Sequence, residues 1–467
     1  MNSHKCGFVS LEAIKWDPSV YPRSKWNTAT IERYVDALEA GDEFPPLVLE
    51  EGTNRLLDGK HRLEAYKKAG ITEASVEWHV VPEGMTPKRY AATLSARHGD
   101  RMSNADLKAL AVEECEADPK AFDVKAFARQ MGVSERTVYD WVGHILSRER
   151  EERRAKVLRL TMLGWTQKEI AELLGVSQQT VSVDTKNCDS AKIGIRDLAS
   201  QHIERHEIAR RFNLPPVLVE AITLEGLDDA ERMKRLGIKI QPYDVWQFPS
   251  CHDLMGDNHP GRVPGELMCH VLYFFTKPGD LVVDPMAGSG TTLDACLLMG
   301  RKCRSYDIDH RHERIDIERH DLSDGWPETV GKASLIFWDP PYFNKMDRSS
   351  IGEGGYVEGS ISGLSPGEYL EWFGVRFQQL HEAVKPGTKL AFLMSDWDSE
   401  NAKAHADHPG IFLWDYADLL RKAGWRLIRQ IQVPLSTQQV HPDIVNKFRE
   451  ARRLARLGRY LVVAVRD

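Results

Sequence analysis

Little in this chain points to export, to a membrane or to bulk charge binding. Its 62 Lys and Arg are outnumbered by 69 Asp and Glu, a formal net charge of −7. No general polycation is therefore available to coat nucleic acid, and any basic contact must be local. The seven cysteines (6, 115, 188, 251, 269, 296 and 303) include no C-x-x-C pair and no metal-ligand spacing, so neither a disulfide scaffold nor a metal site is expected. No apolar run is long enough to span a bilayer, and the opening M-N-S-H-K-C-G is not a signal segment. The expectation is a cytoplasmic protein with no membrane partner. At 467 residues, two or three domains are expected.

What is present centres on residues 282–292, V-V-D-P-M-A-G-S-G-T-T. An apolar run closes on Asp284, a turn carrying Gly288 and Gly290 follows, and a helix-compatible segment opens at Thr291. Strand, tight glycine turn and helix build the cofactor crevice of an open α/β sheet, the glycines letting a ligand approach the backbone. Fifty-five residues beyond Asp284 a second apolar run, L-I-F-W, closes on Asp339-Pro340-Pro341-Tyr342. Two consecutive prolines end a strand's ladder and fix φ. The carboxylate before them and the ring after them then suit a planar ligand that is both hydrogen-bonded and stacked.

These stretches, in this order and with H-P-G-R-V-P (259–264) ahead of them, resemble the amino-methylating DNA methyltransferases that use S-adenosylmethionine (SAM). The family's motifs are D-P-F-x-G-S-G-T-T and D/S/N-P-P-Y/F/W. The resemblance runs from about Tyr243 to the end and implies an α/β fold with a Rossmann-like, mostly parallel, seven-stranded methyltransferase sheet. It assigns cofactor contacts to His259, Pro260, Asp284, Pro285, Met286 (Phe in the family), Ala287, Gly288, Ser289, Gly290, Thr291 and Thr292. It further places Asp307 on the ribose hydroxyls, with Asp309 as fallback, and Asp321 at the adenine ring, where an ordinary helix cap is the other reading. Catalysis falls to Asp339, Pro340, Pro341 and Tyr342: the carboxylate and the Pro340 carbonyl accept the hydrogens of an exocyclic amine while Tyr342 stacks on the base. Such a target must be flipped out of the duplex, at a cost of about a few kcal/mol. Asp at 339 favours adenine N6 over cytosine N4. Ring-carbon methylation, which needs a cysteine nucleophile, is disfavoured because no Pro-Cys dipeptide occurs. Double-stranded DNA is the expected partner, and a homodimer is left open. The rivals are an N4-cytosine enzyme, a ParB-like partition or regulatory protein with an inactive methyltransferase domain, and RNA or protein amine methylation.

Ahead of this segment, residues 1–100 read as a small α+β domain. P-P-L-V-L (45–49) and N-R-L-L-D (54–58) read as strands, and Gly59-Lys60-His61-Arg62 opens a helix whose first N–H groups suit an anion. This stretch resembles the ParB-like N-terminal domain, whose G-x-x-R box binds nucleotide phosphates; the resemblance implies CTP or ATP at 59–62. Leu94-Ser95 replace the Glu-Asn of that family's metal-binding segment, which argues against metal-dependent hydrolysis. The alternative is that His61 and Arg62 tie the domain together.

Residues 101–240 are expected to be helical and repetitive. Residues 127–138 align with 170–181 at an offset of 43, and a looser third copy begins at Ile208. An Ala facing the partner helix, Gly or Asn at a left-handed turn, and Ser or Pro opening the next helix make helix-turn-helix grammar. The second helices would offer Arg136 and Thr137, and Gln178 and Gln179, to base edges; the alternative is structural spacers, since acids and bases balance here. Residues 148–159 read as a solvated linker helix. Residues 241–467 form the methyltransferase segment, in which the glycine-rich loop 351–363 reads as a lid. Arg449, Arg452, Arg453 and Arg456, at i, i+3, i+4 and i+7, read as one helical face tracking a phosphate backbone. A nucleoid-associated location follows from those readings.

Overall fold

The computed structural model describes all residues except 1–3, 24–26, 98–101, 249, 258–261, 310–313, 344–359, 399–408, 435–441, 453 and 455–456. The chain divides into two compact units, Met1–Glu151 and Glu152–Asp467.

In the first unit, strands β1 (Lys5–Ser10), β2 (Leu47–Glu50), β3 (Leu56–Asp58) and β4 (Glu73–His79) form a sheet ordered β1-β4-β2-β3. Helices α1 (Thr28–Glu39) and α2 (Lys60–Lys68) accompany it, and Leu63 of α2 is buried with Leu47, Leu49 and Val76 of the strands. Helices α3 (Pro87–Arg97), α4 (Asn104–Ala117) and α5 (Val124–Met131) follow, then α6 (Glu135–Met162), inside which the unit boundary falls.

The second unit continues with α7 (Gln167–Leu174), α8 (Gln178–Ser200), α9 (Arg205–Phe212), α10 (Pro216–Thr223) and α11 (Asp229–Arg235). Three helix pairs carry the expected left-handed hinge: Gly132 at φ +67°, Gly175 at +64° and Asn213 at +50°. Asn is one of the few residues other than Gly that visits this region readily. The third copy, without its glycine, therefore folds as the other two do.

Then come α12 (Gly265–Phe275), β5 (Leu281–Asp284), α13 (Thr291–Met299), β6 (Lys302–Asp307), β7 (Ile317–Arg319), β8 (Leu335–Trp338), β9 (Lys389–Ser395), the short pair β10 (Trp397–Asp398) and β11 (Gly410–Ile411), β12 (Arg426–Gln432) and β13 (Arg459–Val465). The main sheet is ordered β12-β13-β9-β8-β5-β6-β7. It is mixed: β7, β6, β5, β8 and β9 pair in parallel, while β13 runs antiparallel to both β9 and β12. Winding goes outward from β5 to β7, then restarts on the other side of β5 at β8. That reversal makes β5/β8 the switch point, where open α/β sheets bind ligands beyond the strands' carboxyl ends.

Parallel strands covered on both faces read as unbroken apolar runs, which accounts for L-V-V and L-I-F-W. Every residue of α13 is buried, because α10, α11 and α12 all pack on it, and Ala295–Met299 is an unbroken apolar run. The same core joins Val157 and Leu160 of α6, Leu163 just after it, and Ile170 and Leu174 of α7 to Val282, Leu335, Ala391 and Val463 of the sheet. Residues 148–159 are accordingly not a simple solvated linker. Val157, Leu158 and Leu160 seat the end of α6 in the interior, and Arg153, Arg154 and Arg159 follow them in to pair with buried carboxylates.

Candidate active site

Asp284 ends β5 and Asp339 follows β8, and the two strands are hydrogen-bonded neighbours, with Val282 opposite Leu335 and Val283 opposite Ile336. Both motifs therefore emerge side by side at one edge of the sheet. Trp338 Nε1 donates to Met286 Sδ at 3.4 Å, tying the end of β8 to the glycine turn.

The turn is shaped from within. Asp284, 2% exposed, accepts from the Met286 N–H (3.0 Å) and the Thr292 hydroxyl (2.5 Å). Asp307 accepts from the Gly288 N–H and the Asp309 N–H, both at 2.8 Å. The two glycines serve different needs. A Cβ on Gly288 (φ +49°) would meet nothing within 4 Å, whereas one on Gly290 (φ +81°) would lie 2.3 Å from Arg314 Nη1. Pro285, Ala287, Ser289, Thr291 and Thr292 are buried, and Thr291 Oγ1 has no hydrogen-bond partner among the described residues. Gly290 caps α13 without a side-chain hydrogen bond. Open space beside a glycine, an unpartnered buried hydroxyl and a helix start with no side-chain cap fit a polar cofactor.

At the neighbouring strand end, Asp339 Oδ1 accepts from the Tyr342 hydroxyl at 2.5 Å. Burial pushes the Asp339 carboxyl up to about 6, opposed by that hydrogen bond and by the charge of Arg459. Burial pushes Asp284 up to about 7, with the hydrogen bonds from Thr292 and Met286 opposing and the charges of Asp339 and Asp307 adding. Pro340 is buried, while Pro341 and Tyr342 are half-buried. Tyr369, in the helix Pro366–Ala383, donates to the Pro341 carbonyl (2.5 Å) and accepts from the Phe343 N–H (3.2 Å). That clamp holds Phe343 in the left-handed region at φ +50°. Beneath it Trp338 packs among Trp326, Phe373, Phe377 and Phe392.

Other expected residues are placed differently. Asp321 caps the turn Leu322–Asp324, accepting from the Ser323 N–H at 2.8 Å, which is the ordinary cap. His259, Pro260 and residues 351–359 lie outside the described residues; Ile361–Gly363 forms a 3₁₀ turn. The arginine-rich face is not continuous. The helix Pro442–Glu450 ends before Arg452, which sits at φ +52°. Arg449 and Arg452 are exposed, and Arg453 and Arg456 are outside the described residues.

Arg136, Gln178 and Gln179 are exposed at the starts of α6 and α8, whereas the Thr137 hydroxyl bonds Ser134 Oγ at 2.8 Å inside the helix cap. In the first unit, Lys60, His61 and Arg62 line an open cleft with Trp16 and Tyr34. Arg62 donates to Asp58 and to the Pro45 and Pro46 carbonyls, Lys60 bonds Glu64 over the Trp16 ring, and His61 Nε2 accepts from the Asn27 N–H. Gly59 (φ +101°) has room for no Cβ, since Leu47 would lie 2.5 Å away. The side chains of Lys60, His61 and Arg62 thus make contacts within the domain and also line the cleft.

No motif or period marks Tyr369, which reaches Pro341 and Phe343 from another element. Arg159, Arg314 and Asp316 were missed as well; the one available signal was Asp294, a carboxylate inside an apolar helix.

Sheet order, switch point and glycine turn define the Rossmann-like methyltransferase fold. Residues 197–318 match the family model of DNA methylases, and residues 148–188 match that of homeodomain-like domains. The chain therefore carries a stretch similar to DNA methylases just after one similar to homeodomain-like domains; Asp339–Tyr342 lie beyond the first match. Among similar proteins is the DNA adenine methyltransferase YhdJ of Escherichia coli (strain K12), 34% identical over 118 residues, 24% of this chain and 40% of that one. Another, from Streptomyces griseus, is described as a possible regulatory protein of the streptomycin biosynthesis operon; it is 33% identical over 123 residues, 26% of this chain and 33% of that one. The chain thus spans less than half the length of these relatives. Similar solved structures include a Pnob8-like ParB-N domain (15% identity, 30% of this chain, 69% of that one, TM-score 0.25) and TrmN from Thermus thermophilus (17%, 44% and 50%, TM-score 0.26). Neither score reaches the level at which whole folds coincide.

Proposed function

We propose that this chain is a SAM-dependent DNA methyltransferase that methylates the exocyclic N6 of an adenine turned out of the duplex. The observation that carries the reading is the pairing of β5 with β8, which sets the glycine turn beside Asp339-Pro340-Pro341-Tyr342. The adenine preference rests on Asp339 and on likeness to a relative named for adenine.

When bound, SAM supplies an electrophilic methyl group carried on a sulfonium. The turn 286–290 and the first turn of α13 would hold it, with Asp307 and the Thr291 hydroxyl as polar contacts. Asp339, ionised above about 6, accepts a hydrogen of the amine, and the Pro340 carbonyl accepts the other. This draws the nitrogen lone pair out of conjugation with the ring. Oδ1 then has the basicity to take the proton that the methylated amine sheds. For Tyr342 to stack on the base, its hydroxyl must leave Oδ1, and the Tyr369 clamp on Pro341 keeps the rest of the loop in place meanwhile. Positioning of both reactants supplies much of the rate.

Residues 1–100, 101–240 and 241–467 then have separate tasks, the middle segment presenting Arg136, Gln178 and Gln179 to duplex DNA, with Arg449 and Arg452 as local phosphate contacts. A nucleoid-associated cytoplasmic protein fits those tasks. Long-read modification mapping of genomic DNA from cells expressing the chain or its Asp339→Ala variant tests the proposal. A methyladenine motif present with the first and absent with the second is expected; unmodified adenine in both cases contradicts it.

A further inference from the structure

A buried charge cluster beneath the glycine turn has no part in the chemistry above. Its members are Arg159 near the end of α6, Asp294 in α13, and Arg314 and Asp316 ahead of β7. Arg159 Nε donates to Asp316 at 2.6 Å and its Nη2 to Asp294. Arg314 binds the same two carboxylates at 3.0 to 3.1 Å. Two cations balance two anions, and no side chain of the four is more than 13% exposed. Nearby charge holds Asp294 and Asp316 below the usual carboxylate range despite their burial. Removing one member of such an array strands an uncompensated charge.

Two contacts carry the array into the turn. Arg314 Nη1 also donates to the Ser289 carbonyl at 3.0 Å, and its guanidinium fills the space where a Cβ on Gly290 would stand. Asp294 Oδ2 also accepts from the Gly256 N–H at 2.8 Å, and Gly256 lies against Thr291, whose hydroxyl has no protein partner among the described residues. Arg159 itself lies inside the homeodomain-like match and outside the DNA methylase match.

We infer that Arg159 is a positioning residue for the donor site, supplied by the helix-turn-helix segment. The inference rests on the reading of the turn as the SAM site. Without Arg159, the two buried carboxylates carry one negative charge that Arg314 alone does not balance, and that excess falls on the guanidinium that also holds Ser289 and abuts Gly290. The end of α6 and the glycine turn therefore move as one piece, and the methylase segment lacks a support when taken alone.

Isothermal titration of the full chain with SAM and with S-adenosylhomocysteine tests this, with thermal melts alongside. R159M is expected to raise both Kd values on the order of tenfold, R159K less. The double variant R159M/D316N, which restores charge balance, should recover part of the loss. R153M is the control for general destabilisation, since Arg153 lies on the same helix and pairs instead with buried Asp184 at 2.8 Å. It should lower the melting temperature and leave both Kd values unchanged. Wild-type affinity in R159M, or an equal loss in R153M, overturns the inference while leaving the proposed function standing. A wild-type chain that binds neither compound overturns the SAM reading itself, and this inference with it.

Discussion

At Asp339 one physical cause sets both a pH profile and a stability cost. Burial holds the carboxyl at about 6, and the ionised form accepts the amine hydrogen. The rate at limiting substrate should therefore rise with pH through about 6 and level off above it. Tyr342→Phe removes a hydrogen bond that lowers this pKa, so its limb should shift to higher pH in the same kinetic series. The stability sign is opposite. An acid whose pKa is raised by folding contributes stability that is complete below its unfolded value near 3.8 and is lost as pH rises through about 6. Asp339→Asn should thus be inactive yet more stable than wild type at pH 8, by on the order of 1 kcal/mol, with the advantage gone at pH 4 in denaturant melts. The glycines separate at the same scale. Gly290→Ala drives a Cβ into the Arg314 guanidinium and should lower the melting temperature markedly. Gly288→Ala meets open space and should cost only about 1 kcal/mol of backbone strain, while weakening SAM binding in titration.

Among elements, legibility followed period and punctuation. The runs into Asp284 and Asp339 announced parallel strands because both faces are covered, and Gly132, Gly175 and Asn213 announced their hinges because few residues accept a positive φ. Of the arginine spacing at 449–456, the described residues carry a part: Arg449 lies in the helix Pro442–Glu450, and Arg452 stands beyond it at φ +52°. Residues 148–159 misled: a charged stretch looked solvated, although Val157, Leu158 and Leu160 in the same helix are core residues. The boundary at 240 is cut by that core. Val157, Leu160, Ile170, Leu174 and Leu218 share a cluster with Val282 and Leu335, so removing residues 1–240 strips one face of α13. A fragment of residues 152–467 should melt cooperatively, whereas 241–467 should be insoluble or melt without a transition by circular dichroism.

Across the whole molecule, what the sequence could carry was local: two motifs, three hinges and a G-x-x-R box. What it could not carry was their pairing across long stretches of chain. Tyr369 on Pro341, Arg159 on Asp294, and the closure of Arg62 on Asp58 and the Pro45 and Pro46 carbonyls all depend on contacts without a sequence period. The central claim is likewise about pairing, namely that the ends of β5 and β8 form one reaction site. Its most direct test is mass spectrometry of nucleosides from duplex DNA incubated with the purified chain and SAM. N6-methyladenine formed by wild type, abolished in Asp339→Ala and reduced in Gly288→Ala is the expected result. An N4-methylcytosine product in place of methyladenine would overturn only the choice of base, whereas methyl transfer to DNA that survives in the Asp339→Ala variant would contradict the claim.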